Sequence, residues 1–299
     1  MTLRFYWRLD PAAEPARGEA SARPATGFVP RDVRTASLNR YDYYVQVARA
    51  AATTAFDGLF VAYRPESDDS QIVAAAIART APRLLLVPEF PATVGSAVYA
   101  AKEAVSFQRA THNRLGWALT GDGGEEDAAR TAEFLHVARG VHGTRPFDHD
   151  GEYFSVKGGG FQAPLANVPF PPVYLSGDDE EALERSARLA DVHLLPHAPL
   201  DALRGRAETL DRLALAAGRT VELGVIATIT ARETAEEVAA GQGIAGSYDA
   251  VANRLADLHA IGVGHVVLSA TPSLEEAYRI GQFVLPRVRA RIADLRAAA

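Results

Sequence analysis

The stretch YLSGDDEEALERSARLAD, Tyr174 to Asp191, brings Ser176, Gly177, Asp178 and Asp179 to a junction of strand, tight turn and helix. Unpaired N–H groups at such a helix start carry the positive end of the helix dipole, so a phosphate fits there without a basic side chain. In this chain Asp178, Asp179, Glu180 and Glu181 fill that place with carboxylates. Two readings are open. In one, Asp178 is an N-cap with Glu181 as its capping-box partner, which stabilises the helix by about 1 kcal/mol and needs no ligand. In the other, a phosphate site has been closed, because each dianion–carboxylate contact costs on the order of a few kcal/mol at a surface-like dielectric.

Other chemistry-bearing residues stand at the ends of apolar runs. Trp7, Arg8 and Asp10 end the first run, and Tyr63 and Arg64 end the second. Arg8 and Arg64 could hold an anion, or pair with Asp10, Glu66, Asp68 or Asp69. His193 and His197 flank LLP at i, i+4, either as rim and core histidines or with His197 as a base. ESDDS, Glu66 to Ser70, reads as an N-cap cluster or as ligands for a hard cation. KGGGF, Lys157 to Phe161, lacks the spacing of a nucleoside triphosphate loop. No metal site is expected, and zero cysteines exclude disulfides, thiolate ligands and a cysteine nucleophile.

These positions need elements to hold them. Eight apolar runs rich in β-branched and aromatic residues recur, each followed by helical spacing: Arg4 to Leu9, Gly58 to Tyr63, Arg83 to Phe90, Arg114 to Thr120, Pro172 to Gly177, Val192 to His197, Glu222 to Ile229 and His265 to Ala270. Val251, Leu255, Leu258 and Ile261 fall on one helical face before Gly262. SLEEAYRIGQFVLP predicts a closing helix with Ser273 and Glu276 as a capping box and Leu274, Tyr278, Gly281, Leu285 and Val288 on its buried face. The α/β pattern predicts a (β/α)8 barrel over residues 1–299, with chemistry at the C-terminal strand ends. An open doubly wound sheet is the alternative. Two segments interrupt the repeat: a Pro/Ala/Arg-rich connection, 11–39, that is a lid or a plain loop, and a small hairpin insertion before the fifth strand.

Composition narrows the partners. With 299 residues, 48% hydrophobic, a net charge of -6 and a pI near 5.8, the chain has no basic excess for nucleic acid or an anionic membrane. No apolar run nears the roughly 18 residues of a span, and MTLRFYWRLD lacks the order of a signal peptide, so a cytoplasmic location is expected.

From the hairpin onwards, FDHDGEYFSVKG and PFPPVYLSG resemble the bacterial luciferase-like flavin monooxygenases, and within them the alkanesulfonate branch. GSYDAVANRLADLHAIGVGHVVLSATPSLEEAYRIGQFVLP is similar to that family's last helices and strand nearly position by position. The resemblance implies a luciferase-like barrel, a homodimer through the helices after strands two and three, and reduced FMN supplied by a reductase. With O2, this flavin would oxygenate a small organic substrate; a deazaflavin is the variant cofactor. Carried over residue by residue, the branch's cysteine falls on Ser67, its strand-seven histidine and arginine on Thr228 and Ile226, and its tyrosine after strand eight on Thr271. An alkanesulfonate is therefore not expected as substrate. The asparagine facing the flavin falls on or beside Trp117, Thr120 is kept, and the phosphate-wrapping serines fall on Asp178 and Asp179. The site so implied comprises Tyr63, Ser67, His197 and Thr228 for catalysis, and Trp117, Thr120, Tyr153, Ser176, Gly177, Asp178 and Asp179 for the flavin. A degenerate relative serving as a non-catalytic binding or regulatory protein is the rival reading.

Overall fold

The computed structural model describes residues 2–12, 40–121, 124–143, 146–238 and 243–297. Most of the 11–39 connection lies outside them. Eight parallel strands close into a barrel: β1 (Arg4–Leu9), β2 (Gly58–Val61), β3 (Leu85–Pro91), β4 (Trp117–Thr120), β7 (Val173–Ser176), β8 (Val192–Pro196), β9 (Glu222–Arg232) and β11 (Val263–Ser269). The ring closes because β1 pairs with both β2 and β11, while β9 pairs with both β8 and β11. All eight expected strands are present, and the open-sheet alternative falls.

Strand alternation decides which side chains enter the barrel. Tyr6, Phe60, Val87, Ala118, Tyr174, Val192, Leu194 and Val267 pack together inside. Their alternating neighbours along each strand, among them Phe5, Trp7, Leu59, Leu86, Trp117 and Leu268, pack outward under the helices. Each large apolar side chain buried this way contributes roughly 1.5–3 kcal/mol. The Tyr6 ring needs a glycine beside it: a Cβ at Gly58 would lie 2.4 Å from it.

The outer layer comprises α1 (Arg40–Thr53), α2 (Ser70–Ile77), α3 (Ala97–Thr111), α4 (Glu125–His142), α5 (Glu180–Leu189), α6 (Leu200–Ala216), α7 (Tyr248–Ala260), α8 (Ser273–Arg279) and α9 (Leu285–Ala297). Asp69 caps α2 through Gln71 N–H and Ile72 N–H, so this part of ESDDS is an N-cap. On α7, Val251, Leu255 and Leu258 are buried as their spacing predicts.

The closing helix departs from expectation. Ser273 does not cap it; its Oγ accepts from Trp7 Nε1 at 2.9 Å, while Glu276 turns to Arg232 at 3.0 Å and to Arg279. A π-turn at Ile280–Val284 then adds a residue to the repeat. Gly281, Leu285 and Val288 are buried as expected, joined by Ala277, Ile280 and Val284, whereas Tyr278 is left exposed.

The expected insertion is the antiparallel pair β5 (Phe147–Asp150) and β6 (Ser155–Gly159). Glu133 of α4 holds it by accepting from Tyr153 N–H at 3.1 Å, Phe154 N–H at 2.8 Å and His149 Nε2 at 3.1 Å. A short strand, β10 (Ile244–Ser247), extends the sheet beside the far end of β9 and was not foreseen.

Candidate active site

Among the described residues, the C-terminal strand ends border two hollows. The larger, about 450 Å³, is bounded by Arg8, Asp10, Tyr43, Tyr44 and Arg64 on one side and by Ile226, Thr228, Ser269, Thr271 and Ser273 on the other. Its charges are matched. Arg8 NH2 lies 3.4 Å from Glu89 Oε2, with its guanidinium 5.8 Å from the Phe60 ring centre. The same Glu89 oxygen accepts Tyr63 N–H at 3.0 Å, which fixes the carboxylate. Arg64 pairs with Asp10 at the rim, and Asp68 accepts from Tyr44 O–H at 2.8 Å.

The smaller hollow, about 80 Å³, lies between the ends of β4 and β7. Thr120, Gly121, Ser176, Asp127, Thr131 and Arg185 line it. Beside it the β7–α5 turn has Gly177 at φ 143, and a Cβ there would meet the Ala182 Cβ at 2.4 Å. His193 supports this turn from behind. Its Nε2 must donate to Gly177 O at 3.0 Å; burial keeps the ring neutral, and Nδ1 then accepts from Ser186 O–H at 2.7 Å. Burial drives its pKa down to about 4, with the Gly177 hydrogen bond opposing.

The aspartates of the turn divide their work. Asp179, not Asp178, is the N-cap, accepting from Ala182 N–H at 2.7 Å. That register puts Ala182 where a capping box needs Glu, so the Asp178–Glu181 box is not formed. Asp178 instead meets Arg206 of α6 at 3.4 Å. Arg185 has no ion-pair or hydrogen-bond partner among the described residues, whereas Asp127 stands against Gly121 in the same hollow.

The other expected residues scatter. Thr228 shares the larger hollow with Arg8 and Arg64, and Thr120 and Ser176 share the smaller. Trp117 is a correction: it points outward, its ring 5.4 Å from Phe90 and 5.2 Å from Phe170, because odd positions of β4 face the helices. Ala118 is the neighbour that faces the barrel interior. Ser67 Oγ is buried without a hydrogen-bond partner among the described residues. Tyr153 lies against Arg130, 4.6 Å from guanidinium to ring centre, on the helix that also supplies Asp127 and Thr131. His197 stands exposed at the β8 end; desolvation of its ring and then Arg254 keep its pKa below the usual imidazole range. His193 and His197 do not share a role, since the first is buried outside the barrel wall.

Glu89, Arg185 and Arg206 escaped sequence reasoning. For Glu89 a signal existed: with Leu85 and Val87 facing inward, period two puts Glu89 inward at the C-terminal end of its strand. For Arg206, 28 residues from Asp178, none did. Among the described residues no group of three or more His, Asp or Glu could hold a metal ion, and no helix is long and apolar enough to cross a membrane.

A family model described as luciferase-like monooxygenase matches residues 24–245. Solved structures agree in fold. A riboflavin lyase with modified FMN and riboflavin is 15% identical with a TM-score of 0.79, covering 97% of this chain and 92% of that one. EDTA monooxygenase from Chelativorans sp. BNC1 is 15% identical with a TM-score of 0.78, covering 97% and 94%. The coenzyme F420-dependent tetrahydromethanopterin reductase from Methanopyrus kandleri is 12% identical with a TM-score of 0.76, covering 96% and 100%.

Proposed function

The chain belongs to the luciferase-like monooxygenase family, and from that premise we propose that it is a two-component monooxygenase using FMN, reduced by a separate flavin reductase, and O2. When bound, the reduced flavin supplies two electrons; one oxygen atom enters the substrate and the other leaves as water. The observation that carries the reading is the polar hollow at the β4 and β7 ends, opposite the charge-matched cavity at the mouth of the same barrel.

The residues at that hollow fit a flavin phosphate. Thr120 and Ser176 offer hydroxyls, Gly177 opens the turn, and Arg185 brings an unspent cation. Pairing with Arg206 reduces the repulsion from Asp178, which the sequence alone left unopposed. Asp179 is occupied with its cap and Asp127 remains as an opposing charge, so binding leans on Arg185. Tyr153, beside α4, is the further candidate on the phosphate side. At the other hollow the chain's own groups orient the substrate: Arg8 and Thr228 present donors, and Ile226 excludes water. His197 and Tyr63 remain the candidates for moving a proton at the rim.

Titration of the protein with FMN, reduced FMN and coenzyme F420, followed by tryptophan fluorescence, tests this reading. Micromolar FMN binding supports it, F420 binding without FMN binding replaces the cofactor, and binding of neither favours the non-catalytic alternative. The substrate in this reading is not an alkanesulfonate, because Ser67, Ile226, Thr228 and Thr271 leave a sulfonate without that branch's polar partners. Sulfite released from a short alkanesulfonate with a reductase present would count against it. The same reading includes a homodimer through α2 and α3, whose outer faces border an apolar groove of about 870 Å³ carrying Ile72, 58% exposed, and Tyr99, 63% exposed.

A further inference from the structure

We propose that Arg8 selects the substrate, and that the cavity beside it takes a small neutral molecule bearing a carbonyl or similar acceptor oxygen, in preference to an anion, a cation or a hydrocarbon. This rests on the reading that the mouth cavity receives the substrate, and it goes beyond that reading by naming the substrate's class and the residue that recognises it.

Arg8 is a guanidinium with work left to do. Its side chain is only 17% exposed, yet among the described residues a single N–H has a partner, Glu89 at 3.4 Å. A guanidinium carries five such donors. The Phe60 ring on one side and Glu89 on another restrain the group, so its remaining donors border the cavity in a fixed place. A hydrocarbon entering here would strip water from those donors and return nothing, which is the costly way to treat a part-buried polar group.

The charge balance removes the other classes. Glu89, itself 14% exposed and held by Tyr63 N–H, cancels Arg8, and Asp10 cancels Arg64. An anion would gain from two guanidiniums whose charges are already offset by Asp10 and Glu89, and would meet the Asp10 carboxylate in the cavity wall. A cation would gain from the carboxylates but meet both guanidiniums. A neutral acceptor takes hydrogen bonds from Arg8, and from the hydroxyls of Thr228 and Ser269, without either repulsion. The volume of about 450 Å³ suits a compact molecule rather than a long chain.

The test is a matched panel on the full-length, flavin-free protein: cyclopentanone, cyclopentanecarboxylate, cyclopentylammonium and cyclopentane. Binding is read by saturation-transfer NMR and by Trp7 fluorescence, since Trp7 Nε1 donates to Ser273 at the cavity wall. Cyclopentanone should bind about tenfold or more tightly than the other three, the difference expected when unpaired donors are satisfied by only one ligand. In the double variant Arg8→Leu, Glu89→Gln, which leaves no lone buried charge, the preference over cyclopentane should vanish. If cyclopentane, the carboxylate or the ammonium binds wild-type protein as tightly as the ketone, if no probe binds at millimolar concentration, or if a folded double variant keeps the preference, the proposal fails. Should the variant not fold, the wild-type order alone decides. Because no flavin is present, a failed panel beside intact FMN binding overturns this inference only, whereas failed FMN titration overturns the proposed function and leaves the panel standing.

Discussion

His193 couples the β7–α5 turn to pH, and the size of the coupling follows from its surroundings. The ring is buried, accepts from Ser186 O–H and donates to Gly177 O, an arrangement made by the neutral form. Its folded pKa is about 4, against 6.5 when unfolded. The folded value is depressed, so the contribution is fully present above pH 6.5, shrinks as pH falls, and is gone near pH 4. Between pH 6.5 and pH 5 the unfolded chain gains a proton at this site that the folded chain refuses, at about 1.4 kcal/mol per pH unit, or about 2 kcal/mol. The full window to pH 4 comes to roughly 3 kcal/mol. His193→Gln has no charge to acquire, and its amide can still donate towards Gly177 O. Urea unfolding of both proteins at pH 7, 6, 5 and 4.5 should show the wild type losing its margin over the variant by about 2 kcal/mol from pH 7 to 5. A difference that stays flat across that range would refute the neutral, buried assignment of His193.

Three further outcomes follow from the same geometry. Arg185→Met should weaken FMN binding by about tenfold while leaving riboflavin, which has no phosphate, nearly unchanged, because a lost charge-assisted bond acts only on the phosphate; equal losses by fluorescence titration would place Arg185 elsewhere. Replacing Asp178 and Asp179 together by Ser should strengthen FMN binding, since Arg206 is released, two carboxylates are removed from the turn and serine still caps α5, and the gain should shrink as salt rises; unchanged or weaker calorimetric binding with the fold intact would make the two residues plain structural caps and pairs. Ile72→Lys with Tyr99→Lys should halve the mass seen by light scattering at micromolar concentration, and a wild-type protein already monomeric there would sink the homodimer.

Much of the barrel was legible because its strands carry the signal locally. GLFV and VVL are buried on both faces and cannot sit at a surface, and each is followed by helical spacing that covers one face. Where local pattern and tertiary demand diverged, the reading slipped. Ser273 and Glu276 have capping-box types and spacing, but Trp7 takes the serine hydroxyl, and Arg232 and Arg279 take the carboxylate. The inserted π-turn then brought Ile280 and Val284 into the buried face beside the expected Gly281, Leu285 and Val288, which no period of 3.6 could foresee.

The site was less legible for a different reason: its charges are neutralised across strands. Asp178 read as an obstacle to phosphate only while its partner was unknown, and Arg206 lies on the helix after the next strand. Arg8 read as an anion holder or as a partner of Asp10, Glu66, Asp68 or Asp69 for the same reason, whereas its partner is Glu89, 81 residues on. In a closed barrel, strands adjacent in space but distant in sequence meet at the mouth, so each polar side chain there is judged by neighbours contributed by other βα units. Residue types along one strand identify who faces the mouth; only closure shows which charges remain unspent. By that measure Arg185, without a partner among the described residues, and the part-buried Arg8, with one, keep hydrogen-bonding capacity at the mouth. In the proposed reading one faces the flavin phosphate and the other a substrate oxygen, which is why the two titrations that separate them, riboflavin against FMN and ketone against hydrocarbon, bear on different ends of the same reaction.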